Sequence, residues 1–308
     1  MRILDGKKVA GEIRAEIATE VARFVASGRQ APKLVAVLVG ENPASVVYVR
    51  NKVKACLEAG LLSQEIRKPE GISEAALLAL IADLNGRDDV DGILVQMPLP
   101  SQIHARKVIE AIDPRKDVDG FHPLNVGRLW GGGEGFVPCT PAGIIELLDR
   151  SDVPIEGRCA VVIGRSDIVG KPMAALLLLR HATVTICHSR TPDLPAVAAQ
   201  ADILVAAIGR KAFVRGSFIK PGATVIDVGM NQTSDLEEVR SLFGDDAVRL
   251  EEIRRKGYTL VGDVHPAEAK LRAGALTPVP GGVGPLTIAL LLRNTMGAAE
   301  ARRGAGRA

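Results

Sequence analysis

The sequence predicts an α/β protein of two domains, each built on a parallel sheet covered by helices. Three observations predict it. The 308 residues are about twice an ordinary domain length. Short apolar runs such as LVAVLV at 34–39 and GILVQ at 92–96 alternate with longer stretches of helical spacing, as in parallel sheets buried on both faces. A second such series begins at CAVVIG, 159–164. Hydrophobic residues make up 47% and charged residues 24%, which suits a globular chain with a core large enough to need no staples.

Asp5 caps a first helix over 5–26, where Val9, Ile13, Ile17 and Val21 recur at i+4. A buried strand follows at 33–40, then a helix over 43–59 with Gly60 as its C-cap. A weaker strand at 63–68 leads to a helix capped by Ser73 that runs to about Leu84. Strand 92–96 is stopped by Pro98 and Pro100, and helix 102–111 follows. Residues 113–140, rich in Gly, Pro and Asp, read as a loop, with GGGEG at 131–135 as its flexible surface part. Thr140 caps a helix starting at Pro141. The second series reads strand 159–164, helix 171–180, strand 183–187, helix 192–200, strand 203–209 and strand 223–229. The charged stretch 231–258 reads as a helical excursion and 277–285 as a rigid loop. A helix over 286–299 closes the fold, and RRGAGRA from Arg302 reads as a frayed tail. The first domain is expected over 1–140 plus 285–303, with the last helix returning to it. The second covers 141–284, and 304–308 is a flexible tail.

Lys plus Arg number 39 against 36 for Asp plus Glu. That balance argues against nucleic acid and an anionic membrane as partners, and 3% aromatics leave few stacking platforms. Asp5, Lys7 and Lys8 interrupt any signal-like apolar core, and no apolar run reaches membrane-spanning length. A cytoplasmic location is expected. Cys56, Cys139, Cys159 and Cys187 form no CxxC pair, so no metal site is expected and the cysteines read as small core residues.

VVIGRSDIVG at 161–170 places Gly164, Arg165, Ser166 and Gly170 between a strand and a helix. Such a turn brings backbone N–H groups to a phosphate at a helix N-terminus. By itself the pattern is equally that of a plain tight turn. The next strand ends in His188, Ser189 and Arg190, where NAD enzymes carry an acidic residue for the ribose hydroxyl. A hydroxyl and a guanidinium favour a 2′-phosphate and hence NADP, unless Arg190 is a solvated surface residue. Tyr48 and Lys52 share a helix face at i and i+4, a spacing equally suited to packing and solvation. Gln96 ends a buried strand, where open α/β sheets bind ligands. KDVDG at 116–120 sets two carboxylates in a turn, either a structural Asx-turn or a cation site.

Nine stretches together resemble the bifunctional methylenetetrahydrofolate dehydrogenase/methenyltetrahydrofolate cyclohydrolase family of bacterial, synthetase-free type. They are VGENPASVVYVRNK (39–52), VQMPLP (95–100), KDVDGFHPLNVGRL (116–129), PCTPAG (138–143), GRSDIVGKP (164–172), CHSRT (187–191), IDVGMN (226–231), GDV (262–264) and TPVPGGVGPLTIA (277–289). The resemblance implies an N-terminal α/β substrate domain and a Rossmann-like NADP-binding domain with a cleft between them. It implies that Lys52 assists proton transfer and water attack in the cyclohydrolase step, that Gln96 tunes Lys52, that Tyr48 stacks on the folate and that Asp119 holds the pterin. It also implies that Gly164, Arg165, Ser166, Gly170, Ser189, Arg190 and Met230 serve NADP, and that the loop containing Pro280, Gly281 and Gly282 flanks the substrate cleft. The implied partners are tetrahydrofolate one-carbon derivatives and a second copy of the chain, paired through the nucleotide domains. Two departures stand out. The stretch from Asn231 to Gly262 is longer than expected, and Met97 stands where Leu is commoner. A dehydrogenase without cyclohydrolase activity and a silent dinucleotide-binding protein are the alternatives; the presence of Lys52 argues against the first, and that of Lys52, Gln96 and Asp119 together against the second.

Overall fold

The aliphatic runs become parallel strands. In the computed structural model, which describes residues 1–304, the elements begin with β1 (Arg2–Ile3), α1 (Gly6–Ala26), β2 (Lys33–Val39), α2 (Pro43–Glu58), β3 (Leu62–Lys68) and α3 (Glu74–Gly86). There follow β4 (Gly92–Val95), α4 (Ala105–Ala111), α5 (Pro123–Trp130), α6 (Cys139–Arg150), β5 (Cys159–Ile163) and α7 (Gly170–Leu179). Next come β6 (Thr183–Cys187), α8 (Leu194–Ala198), β7 (Ile203–Ala206), β8 (Thr224–Asp227), β9 (Asn231–Thr233) and α9 (Leu236–Phe243). The chain ends with α10 (Ala247–Lys256), β10 (Thr259–Val261), α11 (Pro266–Arg272), β11 (Ala275–Leu276) and α12 (Val283–Gly304). Most of the expected tail, 304–308, lies outside the described residues. Among the described residues no helix is long and apolar enough to cross a membrane.

The chain divides into two units. Ala10–Cys139 with the segment from Thr287 forms one, which carries Lys52, and Met1–Val9 with Thr140–Leu286 forms the other. In the first, β2 lies between β3 and β4, all parallel. Leu34 to Val39 of β2 are buried, as expected of a central strand covered on both faces. Leu77, Ile81 and Leu84, on one face of α3, pack against Val35 and Val37. Asp117 makes an isolated parallel bridge to Ile93, so the turn after Asp113 is held against the side of β4.

Two expectations for this unit are corrected. The region 113–140 is not all loop, because α5 forms within it. His122 caps α5 by accepting a hydrogen bond from Leu124 N at 3.1 Å, Pro123 fits the first turn, and Asn125 and Leu129 are buried. Nor do Arg302 and Arg303 fray. Arg302 donates to Asp91 at 3.0 Å and to Val90 O at 2.5 Å, and Arg303 donates to the other Asp91 oxygen. Asp91 is fully buried and also accepts from Lys33 N at 2.9 Å, so the end of α12 is tied to the start of β2.

The second unit is built on a six-stranded parallel sheet in the order β1-β11-β8-β7-β5-β6. Because β5 pairs with β6 on one side and β7 on the other, the strand order reverses there, which opens a crevice at the carboxyl ends of β5 and β7. Residues 1–9, expected in the first domain, lie in this unit because Arg2 and Ile3 pair with Ala275 and Leu276. The excursion after Met230 is not purely helical. It leaves as β9, forms α9 and α10, and returns as β10, which pairs antiparallel with β9. The cysteines are all free, three of them buried and Cys159 half-buried.

Candidate active site

The first constellation stands at the carboxyl ends of β2 and β4. Asn42 caps α2 by accepting from Ala44 N at 3.0 Å and Ser45 N at 3.2 Å. Its buried face carries Ser45, Val49, Lys52, Ala55 and Cys56. Lys52 is only 8% exposed although it bears an ammonium, so it must find partners. Gln96 supplies one. Its backbone N–H continues the ladder to Val37 O at 2.9 Å. Its side-chain Oε1 accepts from Lys52 Nζ at 3.1 Å, while Nε2 is engaged by Met97 O at 2.7 Å. The amide is therefore held with its oxygen toward the lysine. Tyr48 lies one turn earlier on α2 and is half-buried, and burial raises its hydroxyl pKa above the ordinary value.

KDVDG divides its labour. Lys116 Nζ donates to Leu84 O, Asn85 O and Arg87 O at 3.1, 2.8 and 2.6 Å, which anchors the segment to the end of α3. Asp117 accepts from His122 N at 2.8 Å and Asn125 Nδ2 at 2.9 Å. Gly120 then turns the chain with φ +74°, and a Cβ there would stand 2.6 Å from the Val137 carbonyl carbon. Asn294 of α12 donates to Val118 O at 2.8 Å and Val137 O at 3.1 Å, fixing both flanks of that turn. Asp119 alone is left for chemistry. Burial raises its carboxyl pKa to about 6, opposed by the Lys52 ammonium and reinforced by Asp117. Buried Cys139 lies in the same field. Its thiol is pushed well up, first by burial and then by Asp119, and it donates to Val118 O at 3.3 Å.

The second constellation follows β5. Gly164 has φ +133°, and a Cβ on it would lie 2.2 Å from Ala207 O, just past β7. A Cβ on Gly170 would lie 2.3 Å from Gly164 O. The turn between them is closed by Ser166 Oγ, which accepts from Val169 N at 3.2 Å and Gly170 N at 3.3 Å and keeps its own proton to donate. Arg165 and Ser166 are exposed ahead of α7. After β6, residues 188–191 form a turn in which His188 N donates to Thr191 Oγ1 at 2.9 Å and Arg190 N donates to His188 Nδ1 at 3.1 Å. Ser189 and Arg190 stand exposed on it. Such a turn, with Cβ-free backbone at a helix N-terminus and a guanidinium beyond the neighbouring strand, suits a phosphorylated dinucleotide.

Two family models match the chain. The tetrahydrofolate dehydrogenase/cyclohydrolase catalytic domain matches residues 4–119, and the tetrahydrofolate dehydrogenase/cyclohydrolase NAD(P)-binding domain matches residues 138–303. The chain belongs to the tetrahydrofolate dehydrogenase/cyclohydrolase family. The bifunctional protein FolD of Koribacter versatilis is 58% identical over 302 residues, covering 98% of each chain. The solved structure of the bifunctional enzyme FolD from Campylobacter jejuni superposes with a TM-score of 0.88 at 44% identity, covering 98% of this chain and 99% of that one. FolD of Trypanosoma brucei, solved with NADP cofactor and an inhibitor, gives 0.87 at 38% identity, covering 99% of this chain and 98% of that one.

In this member of the tetrahydrofolate dehydrogenase/cyclohydrolase family, Lys52 and Gln96 are hydrogen-bonded, Tyr48 lies on the same helix, and Asp119 sits in the field of Lys52. Gly164, Ser166 and Gly170 share one turn. Met230 is exposed, and its Sδ lies 3.3 Å from where a Cβ on Gly284 would be, just past Pro280–Gly282. Sequence reasoning passed over Asp227 and Asp263, both buried. Asp263 accepts from Ile208 N at 2.7 Å and Gly209 N at 2.9 Å, the loop after β7, and from Asn231 at 3.0 Å. Asp227 accepts from Gly229 N, Asp263 N and Val264 N at 2.9, 2.8 and 3.0 Å. Burial raises its pKa to about 7 despite those donors. The available signal was a charged residue ending an apolar strand, in IDVG, and a second one in GDV.

Proposed function

We propose that the chain oxidises 5,10-methylenetetrahydrofolate to 5,10-methenyltetrahydrofolate with NADP+ and hydrolyses the product to 10-formyltetrahydrofolate. The observation that carries this reading is the buried Lys52 ammonium hydrogen-bonded to Gln96 beside Asp119, in a chain with a dinucleotide turn. NADP+, when bound, supplies the hydride acceptor that turns the methylene bridge into the methenyl cation. Gly164, Arg165, Ser166 and Gly170 would hold its phosphates, Ser189 and Arg190 its 2′-phosphate, and Met230 a further part. Asp119, when ionised, accepts from the N–H groups of the pterin, Tyr48 stacks on the aminobenzoyl ring, and Pro280, Gly281 and Gly282 contribute backbone to the folate. Water then attacks the methenyl carbon. Lys52, acting as the unprotonated amine, takes a proton from that water and returns it to N5 as the carbon–N5 bond breaks, and the remaining hydroxyl proton is released as the formyl C=O forms. Gln96 holds the lysine on line for both transfers. Net, one water is consumed and one proton is released.

The test is to follow reduced cofactor with NADP+ and with NAD+, then acidify to convert 10-formyl product into the methenyl form and quantify it. Reduction that stops at the methenyl stage would remove the role of Lys52. No reduction with either cofactor, from folded protein, would sink the reading. Arg190→Ala is expected to lower kcat/KM for NADP+ by about tenfold to a hundredfold, a charge-assisted hydrogen bond's worth, and to leave NAD+ use unchanged. An equal loss with both cofactors would dismiss Arg190 as the 2′-phosphate ligand. Because Asp119 ionises only above about 6, kcat/KM for the folate should fall as pH drops through 6. Asp119→Asn should lose that acid limb together with most of the activity, and an unchanged limb would assign it to another group.

The second copy of the chain belongs to the same reading. Strand β6 ends the sheet with Ile186 exposed, an edge open to pairing. A monomeric mass in solution would overturn it. A cytoplasmic setting agrees with the substrates.

A further inference from the structure

The excursion after Met230 has a feature that its charge pattern conceals. Helix α10 buries no residue, yet Arg249 on it has a side chain only 14% exposed. Its guanidinium lies over the Phe243 ring, 3.6 Å from the centroid. Nη1 donates to Leu260 O at 2.6 Å and Nη2 to Val279 O at 2.5 Å. Leu260 is in β10, whose partner β9 follows directly on Met230. Val279 is the residue before Pro280. One planar fork thus bridges the ribbon that carries Met230 and the loop that carries Pro280, Gly281 and Gly282. Within its unit that loop is also held where Gly282 N donates to Pro278 O at 2.8 Å and Lys7 N donates to Gly281 O at 2.9 Å. Neither reaches the carbonyl of Val279.

We propose that Arg249 is a positioning residue, through which the excursion sets the 278–284 loop against the Met230 ribbon for ligand binding. For its functional consequence the inference rests on the reading above, in which both segments serve the ligands. A guanidinium suits the task because it presents two parallel donors in a rigid plane and stacks on an aromatic face, whereas a lysine offers a single point charge. A loop held in its bound form costs less ordering on binding, and loss of such uniform binding raises KM rather than lowering kcat.

The experiment compares Arg249→Ala and Arg249→Lys with the unaltered full chain. Amide hydrogen exchange over 278–284 is measured without ligands, and KM and kcat are measured for 5,10-methylenetetrahydrofolate and NADP+. In Arg249→Ala, exchange in 278–284 is expected to rise about tenfold, and KM about tenfold, with kcat within about twofold. Added methylguanidinium is expected to restore both in part, and Arg249→Lys to resemble Arg249→Ala. Unchanged exchange in the loop overturns the proposal. So does exchange that rises equally in β7, which would make Arg249 a general staple, and so does a fall in kcat at constant KM. If the unaltered protein turns over no folate, the functional reading fails, while the exchange comparison still decides whether Arg249 sets the loop.

Discussion

Lys52→Met should slow hydrolysis of 5,10-methenyltetrahydrofolate by about a hundredfold to ten-thousandfold, the range of a lost acid–base group. Methionine keeps the length and most of the volume of the lysine, so the packed face of α2 stays filled. What disappears is the only group in the constellation whose nitrogen is held at 3.1 Å by the Gln96 oxygen. The dehydrogenase step asks for positioned ligands and no proton carrier at that place, so some reduction of NADP+ should persist. This persistence serves as the control for folding. The decay of methenyl absorbance under single-turnover conditions is the measurement. Hydrolysis close to the normal rate would end the assignment of Lys52.

Gly164→Ala should destabilise its unit by about 2–4 kcal/mol and abolish cofactor binding. The left-handed region alone disfavours alanine at φ +133°, and the new methyl would stand 2.2 Å from Ala207 O. The obstacle is backbone between two paired strands, which cannot rotate away as a side chain can. Relief needs β5 and β7 to part at the crevice where phosphate would sit. Gly11→Ala provides the contrast. Gly11 lies within α1 with nothing within 4 Å of a Cβ, so alanine there should be neutral or stabilising by about 0.5–1 kcal/mol. Thermal melts with and without NADP+ report both effects. A Gly164→Ala protein that melts normally and is still stabilised by NADP+ would refute the argument.

The pattern of apolar runs made much of this architecture legible. β2, β4, β5 and β7 each carry a run of buried apolar residues, and a chain carries that signal locally. β1 and β11 have two residues each; β1 exists only because it finds β11 across most of the chain, and β11 only because it lies between β1 and β8, pairings that no local window contains. α5 hid behind Gly, Pro and Asp residues that usually mark loops, although Pro123 at its first turn was a starting signal. The site divides in the same way. Gln96, at a strand end, and the glycines of the turn after β5 announce themselves by position. Lys52 alone looks like any solvated helical lysine, and only the company of the other motifs raised it above that. Asp117 and Asp119 are two residues apart and chemically identical. Their separate duties depend on His122, Asn125 and Lys52, contacts that no spacing rule encodes. Arg249 sits in a run of charges that reads as a solvated helix face, and its burial depends on Phe243 and on carbonyls distant in sequence.

The bonds from Arg302 and Arg303 to Asp91 also bear on how the protein is made. Domains on a ribosome ordinarily fold in the order in which they emerge. Here the unit holding Lys52 has most of its chain translated early, yet the part of α12 that carries the Asn294 ties to the Asp119 turn is made only after the whole of the other unit's chain. The nucleotide unit, whose segments end at Leu286, can close first. The earlier-made half must wait, with β2 and β4 made but the Asn294 ties to Val118 and Val137 still lacking. A released chain ending at Leu286 should therefore protect β5 and β7 from protease while leaving the segment around Asp119 open to cleavage.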